Sequence, residues 1–169
     1  MRHSNKTEDK KVRVLFVCLG NICRSPAAEG IMKRLVEKND LQDFIEVDSA
    51  GISGWHEGDL PDERMQAHGE KRDYDFNSRA RLFRKSDLEK FDYIIVMDRG
   101  NYTHVKSHAS TKEQLDKITM MTDYSQQYNH DHVPDPYYGG ASGFELVLDL
   151  LEDATEGLLQ SIKEKHAIG

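Results

Sequence analysis

A cysteine and an arginine bracket a short segment near the start of the chain, CLGNICR at residues 18–24. The residues just before it, 12–17, are nearly all apolar, which is typical of a strand buried on both faces. Ser25 followed by Pro26 is typical of a helix start, with the serine as N-cap and the proline at the first helical position. The sequence therefore predicts a strand, a short loop and a helix, with the cysteine where the loop begins.

Such a loop can bind an anion. The first-turn N–H groups of a helix lack acceptors, and the helix dipole favours negative charge beside them. Gly20 permits positive φ and Asn21 tolerates it, so the loop can curl with its amides pointing inward. Arg24 adds a planar guanidinium that matches two phosphate oxygens. This surrounding positive field favours the thiolate of Cys18, which gives a nucleophile suited to attack on phosphorus.

Other kinds of site fit these residues less well. A buried cysteine is usually a small hydrophobe, but this one shares its loop with a glycine, an asparagine and an arginine. A zinc site made by the two cysteines with His130 and His132 is disfavoured by the neighbouring arginine and by the apolar residues between the cysteines. A nucleotide-binding loop would need G-x-x-x-x-G-K-[ST], which the chain lacks.

Strands that alternate with helices must position this loop. Three helical patterns follow in the sequence: one after Ser25, a short one over 60–69, and a long one that begins with Ser142 and Glu145 as a capping box. Alternating strands and helices predict a parallel α/β sheet. The apolar runs that predict its strands cover residues 12–17, 44–51, 91–98 and, more weakly, 117–121.

The composition fits one globular domain, expected over residues 12–169 after a loose arm at 1–11. A net charge of −7 argues against general nucleic-acid binding, which needs a broad basic face. No apolar run approaches the ~20 residues of a membrane span, and the polar N-terminus lacks the apolar core of a signal peptide. The two cysteines do not form a disulfide scaffold, so we expect an intracellular, cytoplasmic protein.

One segment is strongly basic. Residues 71–85, KRDYDFNSRARLFRK, hold six basic side chains against two acidic ones. We interpret this segment as a solvated connection between elements. A basic rim that attracts anionic substrates is the alternative interpretation.

The motif CLGNICRS, Cys-x5-Arg-Ser, resembles that of the low-molecular-weight protein tyrosine phosphatases. DPYYGG at 135–140 is a second match far downstream, and DSAG at 48–51 and MDRGN at 97–101 are also similar to the family. The resemblance covers roughly residues 12–165. It implies a four-stranded parallel twisted sheet flanked by helices on both faces, with the phosphate-binding loop after the first strand.

The resemblance also implies catalytic roles. Cys18 would attack phosphorus and carry a phosphocysteine intermediate, while Arg24 and the loop amides bind the phosphate oxygens. Asp135 would protonate the leaving group and then accept a proton from water, although an Asp-Pro pair alone predicts only a turn. Ser25 would support the thiolate. The remaining loop residues are Leu19, Gly20, Asn21, Ile22 and Cys23.

Aromatic side chains are expected around the substrate ring. Trp55, Tyr137 and Tyr138 match the family's substrate walls, although an exposed loop residue explains Trp55 almost as well. His68 matches a frequent family histidine and also fits a packed helix residue. Three further residues match positions that brace the loop: Glu29, Ser49 and, near the arginine, Asp98.

One position departs from the family pattern. Ser78 stands where the family often has a histidine, which leaves the hydrogen bonds around Asn21 open.

The expected activity is hydrolysis of aryl phosphates in tyrosine-phosphorylated proteins, without a metal or cofactor. A tyrosine kinase acting on Tyr137 or Tyr138 is a further expected partner. An arginine phosphatase of the same fold would carry threonine in place of Ile22 and lack the aromatic pair. An arsenate reductase would need further cysteines after Cys23, and a non-catalytic phosphopeptide-binding module would not need the cysteine, arginine and aspartate together.

The two cysteines also predict redox control. Cys18 is expected to be a thiolate, and Cys23 lies on the same curled loop. Peroxide should therefore form a reversible disulfide between Cys18 and Cys23 rather than overoxidise Cys18.

Overall fold

The computed structural model describes residues 11–137 and 139–169. Its four-stranded sheet is parallel throughout, with the strand order β2-β1-β3-β4. The strands are β1 (Val12–Cys18), β2 (Ile45–Gly51), β3 (Tyr93–Val96) and β4 (Ile118–Met120). The parallel α/β sheet predicted from the sequence is confirmed. Of the predicted arm, only Lys11 lies within the described residues.

The helices connect successive strands and close the chain. They are α1 (Arg24–Lys38), α2 (Glu63–Glu70), α3 (Asp87–Lys90), α4 (Arg99–Lys106), α5 (Lys112–Asp116) and α6 (Ala141–His166), with a 3-10 turn at Met121–Tyr124. In the described part of the chain, none of the helices combines the length and apolar character that crossing a membrane requires.

Strand β1, one of the two inner strands of the sheet, is buried on both faces, as its apolar run predicts. Val14 and Phe16 point into a core formed with α1 and α6, whereas Leu15 and Val17 point into a second core that includes residues of α3 and α4. Successive side chains of a strand face opposite sides of the sheet, so a continuous apolar run supplies both cores.

This burial fixes the position of the cysteine loop. The loop after β1 leads to α1 on one face, while the chain after β3 leads to α4 on the other. The loops therefore diverge at the carboxyl edge of two adjacent strands, which is where ligands bind in open α/β sheets.

Two predicted helix starts are wrong. Cys23, not Ser25, stands at the N-cap position of α1 and makes no side-chain cap bond, because the hydroxyl of Ser25 lies against Cys18 instead. The predicted capping box of Ser142 and Glu145 is absent, since α6 begins at Ala141 and Glu145 accepts hydrogen bonds from residues of another segment.

Candidate active site

Cys18 ends β1 and is buried against the start of α1. Its Sγ lies 3.0 Å from the hydroxyl oxygen of Ser25, and the Ser25 backbone N–H donates to the same sulfur over 3.4 Å. The backbone donor and the hydroxyl of one residue therefore face the sulfur from the first turn of the helix, and the hydroxyl can donate either to the sulfur or to the carbonyl of Ala50. Such donors stabilise a negative sulfur more than a neutral one, so the predicted support from Ser25 has a geometric basis.

The loop between β1 and α1 presents its amides and turns its carbonyls away. Four loop carbonyls accept hydrogen bonds from elsewhere in the protein, those of Cys18, Leu19, Ile22 and Cys23. Within the described residues, the backbone N–H groups from 19 to 24 donate to no protein acceptor. Most of these residues are buried, and buried amides are almost always paired, so a run of unpaired amides that follows directly after the thiol is an anion-binding arrangement.

Asn21 holds this loop in its curled form. Its φ of 58° is in the left-handed region, which asparagine adopts more readily than most residues. The side-chain Nδ2 donates to Ser25 Oγ over 2.7 Å and to Ser49 Oγ over 3.0 Å. Its Oδ1 accepts the backbone N–H of Arg81 over 3.0 Å, so the carboxamide is bound at both ends.

The hydrogen bonds continue away from the sulfur to the surface. Ser49 donates to Glu29 over 2.5 Å, and Lys33, one helical turn after Glu29, donates to the other carboxylate oxygen over 2.5 Å. Glu29 is buried whereas Lys33 is half exposed, so the lysine compensates the charge of the buried carboxylate. Ser78 makes no contact in this chain of bonds and lines a separate hollow beside Glu29.

The loop also needs a glycine on the neighbouring strand. Gly51 ends β2 directly beside β1. A Cβ at this position would lie 3.0 Å from the Asn21 nitrogen and from the Gly20 carbonyl carbon. The close approach of β2 to the loop therefore favours glycine, since any side chain here would require the loop backbone to shift by a few tenths of an ångström.

Arg24 is buried, with a side chain that is 2% exposed. Its Nη1 donates to Asp98 over 2.7 Å and to the carbonyl of Val133 over 3.0 Å. Burial alone would lower the pKa of the guanidinium, but the Cys18 thiolate and the Asp98 carboxylate outweigh it and raise the pKa above its ordinary value. Arg24 is therefore a fixed cation at the bottom of the site.

Asp98 follows β3, and its two carboxylate oxygens bind different groups. One oxygen accepts from Arg24, and the other accepts the N–H of Asn101 as the N-cap of α4. Burial alone would raise the pKa of this carboxyl, yet the hydrogen bonds from Arg24 and Asn101 hold it below the ordinary value. The predicted contact between Asp98 and Arg24 is present.

Asp135 lies on the loop before α6, with Oδ2 3.6 Å from Nη2 of Arg24. Its Oδ1 accepts the backbone N–H of Tyr137 over 3.0 Å, which is the turn that an Asp-Pro sequence predicts. The carboxylate is therefore both a turn residue and a neighbour of the phosphate loop.

A cleft of about 360 Å³ opens above the sulfur. Trp55 and Tyr137 lie on its sides, and Trp55 is 87% exposed. Tyr138 lies outside the described residues. Sequence reasoning missed Ser53 and His56, which also line the cleft. The remaining lining residues are Cys18, Leu19, Gly20, Ile22, Cys23, Arg24 and Asp135.

The second thiol of the cleft differs from the first. Burial raises the pKa of Cys23 well above its ordinary value, and the nearby carboxylate of Asp62 adds to the effect. Cys23 is therefore a neutral thiol at physiological pH. His130 and His132 line a different hollow, and the described residues contain no group of three side chains suited to hold a metal ion.

The basic segment at 71–85 is partly paired. Arg72 bonds to Glu145 and Glu152 on α6, and Arg81 bonds to Asp48 and Asp87. The segment is a connection, as interpreted, but these two arginines anchor it to the fold rather than being solvated.

Comparison with known proteins gives consistent matches. The family model described as low molecular weight phosphotyrosine protein phosphatase matches residues 13–168. The low molecular weight protein-tyrosine-phosphatase of Bacillus subtilis is 45% identical over 157 residues, which cover 92% of this chain and 99% of that protein.

Solved structures match over the same region. A protein tyrosine phosphatase from Entamoeba histolytica, solved with Hepes in its active site, is 42% identical with a TM-score of 0.89 and covers 92% of this chain and 99% of its own. A Drosophila arginine phosphatase is 36% identical with a TM-score of 0.82 and covers 89% of this chain and 97% of its own.

Proposed function

The chain belongs to the low molecular weight phosphotyrosine protein phosphatase family, and we propose that its site hydrolyses phosphotyrosine through a phosphocysteine on Cys18. It is a protein phosphatase of the hydrolase class. One observation carries the proposal: the thiol of Cys18 is followed directly by six backbone amides without a protein acceptor, the last of them that of the buried Arg24. Such a cradle matches the three equatorial oxygens of a phosphoryl group in transfer.

In the first step, Sγ of Cys18 attacks phosphorus as the bond from phosphorus to the phenolic oxygen breaks. The loop amides and Arg24 stabilise the negative charge on the equatorial oxygens. Asp135 gives its proton to the phenolic oxygen, because a phenol with a pKa of about 10 leaves poorly as an anion. The phenol departs, and the phosphoryl group stays on sulfur.

In the second step, water attacks the phosphocysteine and gives its proton to the Asp135 carboxylate. The S–P bond breaks, and inorganic phosphate and the Cys18 thiolate are formed. Ser25 supports the departing thiolate: Asn21 donates to its Oγ, so the hydroxyl hydrogen is shared between the sulfur 3.0 Å away and the Ala50 carbonyl 3.4 Å away, and it turns to the sulfur when the thiolate forms. The loop residues 19–23 supply backbone donors, with Asn21 fixing their curl.

The cleft favours an aromatic substrate. Trp55 and Tyr137 flank the space above the sulfur, and Ile22 gives it an apolar side. We include Tyr138 as a third wall on the strength of the family resemblance. Glu29, Ser49 and Asp98 complete the proposed site as residues that hold the loop and Arg24.

The rival substrate is phosphoarginine, since a structure named as an arginine phosphatase is 36% identical to this chain. Ile22 and the aromatic wall at Tyr137 favour phosphotyrosine, because arginine offers no ring and the resemblance implies threonine in place of Ile22 in that class. An arsenate reductase would need a relay cysteine, and the chain has only two cysteines, both in the loop.

The test compares two peptides of the same sequence, one with phosphotyrosine and one with phosphoarginine. We expect kcat/KM to favour the phosphotyrosine peptide strongly, and acid quench to leave a phosphoryl group on Cys18 that mass spectrometry locates. A preference for phosphoarginine would overturn the substrate assignment, and absence of phosphocysteine during turnover would overturn the mechanism.

We also propose redox control through both thiols. Peroxide would oxidise the Cys18 thiolate to a sulfenic acid with release of hydroxide; the Cys23 thiol would then attack that sulfur, and the loss of water leaves a disulfide. Both cysteines line one cleft, and the raised pKa of Cys23 makes Cys18 the first to react. We expect dithiothreitol to restore activity in the wild type but not in peroxide-treated Cys23→Ala; equal recovery of both would remove Cys23 from the scheme.

Two further parts of the proposal concern the cell. A tyrosine kinase acting on Tyr137 or Tyr138 is a proposed partner, and phosphopeptide mapping after kinase treatment tests it. The cytoplasm is the proposed compartment because both cysteines serve as thiols, and cell fractionation tests that.

A single catalytic domain over residues 12–169 is also proposed. Limited proteolysis followed by an activity measurement tests it.

A further inference from the structure

Arg64, near the start of α2, lies between the core and the loop that carries Asp135, which we call the acid loop. Its guanidinium carbon is 5.3 Å from the ring centroid of Tyr137 and 4.9 Å from that of Phe144. Tyr137 belongs to the loop of Asp135, whereas Phe144 is buried near the start of α6. A cation over an aromatic ring is attracted to it, and arginine forms such contacts more often than lysine.

Arg64 is itself tied to the phosphate loop. Asp62 accepts from Arg64 Nε over 3.1 Å and from Nη2 over 2.9 Å. The backbone N–H of Asp62 donates in turn to the carbonyl of Ile22 over 2.8 Å. A continuous path of contacts therefore leads from the phosphate loop through Asp62 and Arg64 to the ring of Tyr137.

The last contact of this path reaches the carboxylate. The backbone N–H of Tyr137 donates to Oδ1 of Asp135 over 3.0 Å, so a displacement of Tyr137 also displaces the acid. Arg64 does not line the cleft, and within the described residues the hydrogen bonds that it donates go to Asp62. We propose that Arg64 is a positioning residue that holds Tyr137, and through it Asp135, against the phosphate loop.

This inference rests on the proposed role of Asp135 as the general acid. It predicts a defect that depends on the leaving group. A weakly acidic phenol needs the proton from Asp135, whereas a strongly acidic nitrophenol leaves without it. Arg64→Gln should therefore lower the rate of phosphoenzyme formation from phenyl phosphate about fivefold and that from dinitrophenyl phosphate less than twofold.

Three further variants separate positioning from a structural effect. Arg34 makes the same kind of contact with Tyr74, 4.4 Å from the ring centroid and away from the cleft, so Arg34→Gln should leave both rates unchanged. In a Tyr137→Leu background the ring is gone, so adding Arg64→Gln should change neither rate further. Arg64→Lys, which keeps the charge, should recover part of the lost rate.

The outcomes are distinct. An equal loss with both substrates, or a loss that persists in the Tyr137→Leu background, would overturn the inference. Asp135→Asn measured on the same two substrates tests the underlying proposal separately. If Asp135→Asn shows the leaving-group dependence and Arg64→Gln does not, the acid is correctly assigned and only the role of Arg64 is wrong.

Discussion

The phosphate loop and the acid loop meet in one cleft but are built in different ways. Residues 21–29 are buried without exception, and polar bonds run from the Cys18 sulfur through Asn21 and Ser49 to Glu29. The acid loop lies at the surface, where Asp135 is 36% exposed.

The described part of the acid loop is joined to the rest of the protein at several points. It is bonded through Val133 to Met97 and Arg24, through Asp135 to Arg24, and through the ring of Tyr137 to Arg64 and His56. The comparison indicates that the protein builds the anion site into its core before substrate arrives. The proton donor, by contrast, lies on an exposed loop that is joined to this core through Val133 and Arg24. Substitutions in the phosphate loop should therefore change both activity and stability, whereas substitutions in the acid loop should change activity alone.

Loss of the nucleophile should have the largest effect. We expect Cys18→Ser to lower kcat by about 10⁴-fold or more, because a neutral hydroxyl does not replace a thiolate at this position. Since the loop amides and Arg24 remain, the variant should still bind an unreactive aryl phosphonate, measured by calorimetry. Activity near that of the wild type in purified Cys18→Ser would remove the cysteine from the mechanism.

Loss of the acid should come next and should vary with substrate. We expect Asp135→Asn to slow phosphoenzyme formation by about 10²–10⁴-fold for the least acidic phenols and much less for acidic ones. The melting temperature should stay close to that of the wild type, because the loop is exposed. Single-turnover kinetics across substituted phenyl phosphates would measure it, and a defect that does not change with leaving-group pKa would show that Asp135 forms only a turn.

The buried hydrogen bonds that link Asn21, Ser49 and Glu29 should contribute to stability as well as to the rate of catalysis. Ser49→Ala would remove one buried hydrogen-bond partner from Glu29 and one from Asn21, so the free energy of unfolding should fall by about 1–3 kcal/mol. Ser107→Ala is the matched control, since that hydroxyl donates to a carbonyl at the surface and its loss should cost about 0.5 kcal/mol or less. Equal urea midpoints for the two variants would contradict a network held by Ser49.

The smallest expected effect is on the pH dependence of stability. The pKa of Asp98 is lowered in the folded state, so its contribution is full above the unfolded pKa of about 3.9 and is lost as pH falls through the lowered folded value. Acid unfolding below about pH 4 should therefore be steeper in the wild type than in Asp98→Asn. Parallel urea titrations from pH 2 to pH 6 would measure this, and identical slopes would argue against the contribution.

Much of the phosphate loop was predictable because its residues are neighbours in sequence. Cys18 at a strand end and Arg24 at a helix start follow from local patterns, and the sheet follows from its apolar runs. Ser25 was predicted both as a helix N-cap and as support for the thiolate, and only the N-cap role is wrong, because the hydroxyl lies against the thiol. Only the packed position of Cys18 decides between them, and that position depends on the fold.

The residues missed from the sequence act across long separations or through the backbone. Arg81 binds Asn21 with its main-chain N–H, which no side-chain pattern can reveal. His56 reaches the cleft only because the loop after β2 folds over Gly20. The pair of Glu29 and Lys33, by contrast, is four residues apart on one helix, so the spacing rule for helical ion pairs could have found it.

The location of α6 has a consequence for biosynthesis. The nucleophile and its loop leave the ribosome first, yet the core beneath α1 is completed by the last helix, Ala141–His166. Domains fold as units once their chain has emerged. In a nascent chain, the thiol of Cys18 should therefore lack its folded surroundings until translation is almost complete. We expect ribosome-arrested chains to gain protection of that thiol from alkylation only when α6 has left the exit tunnel. Protection in a chain that ends before residue 141 would mean that the loop forms without it.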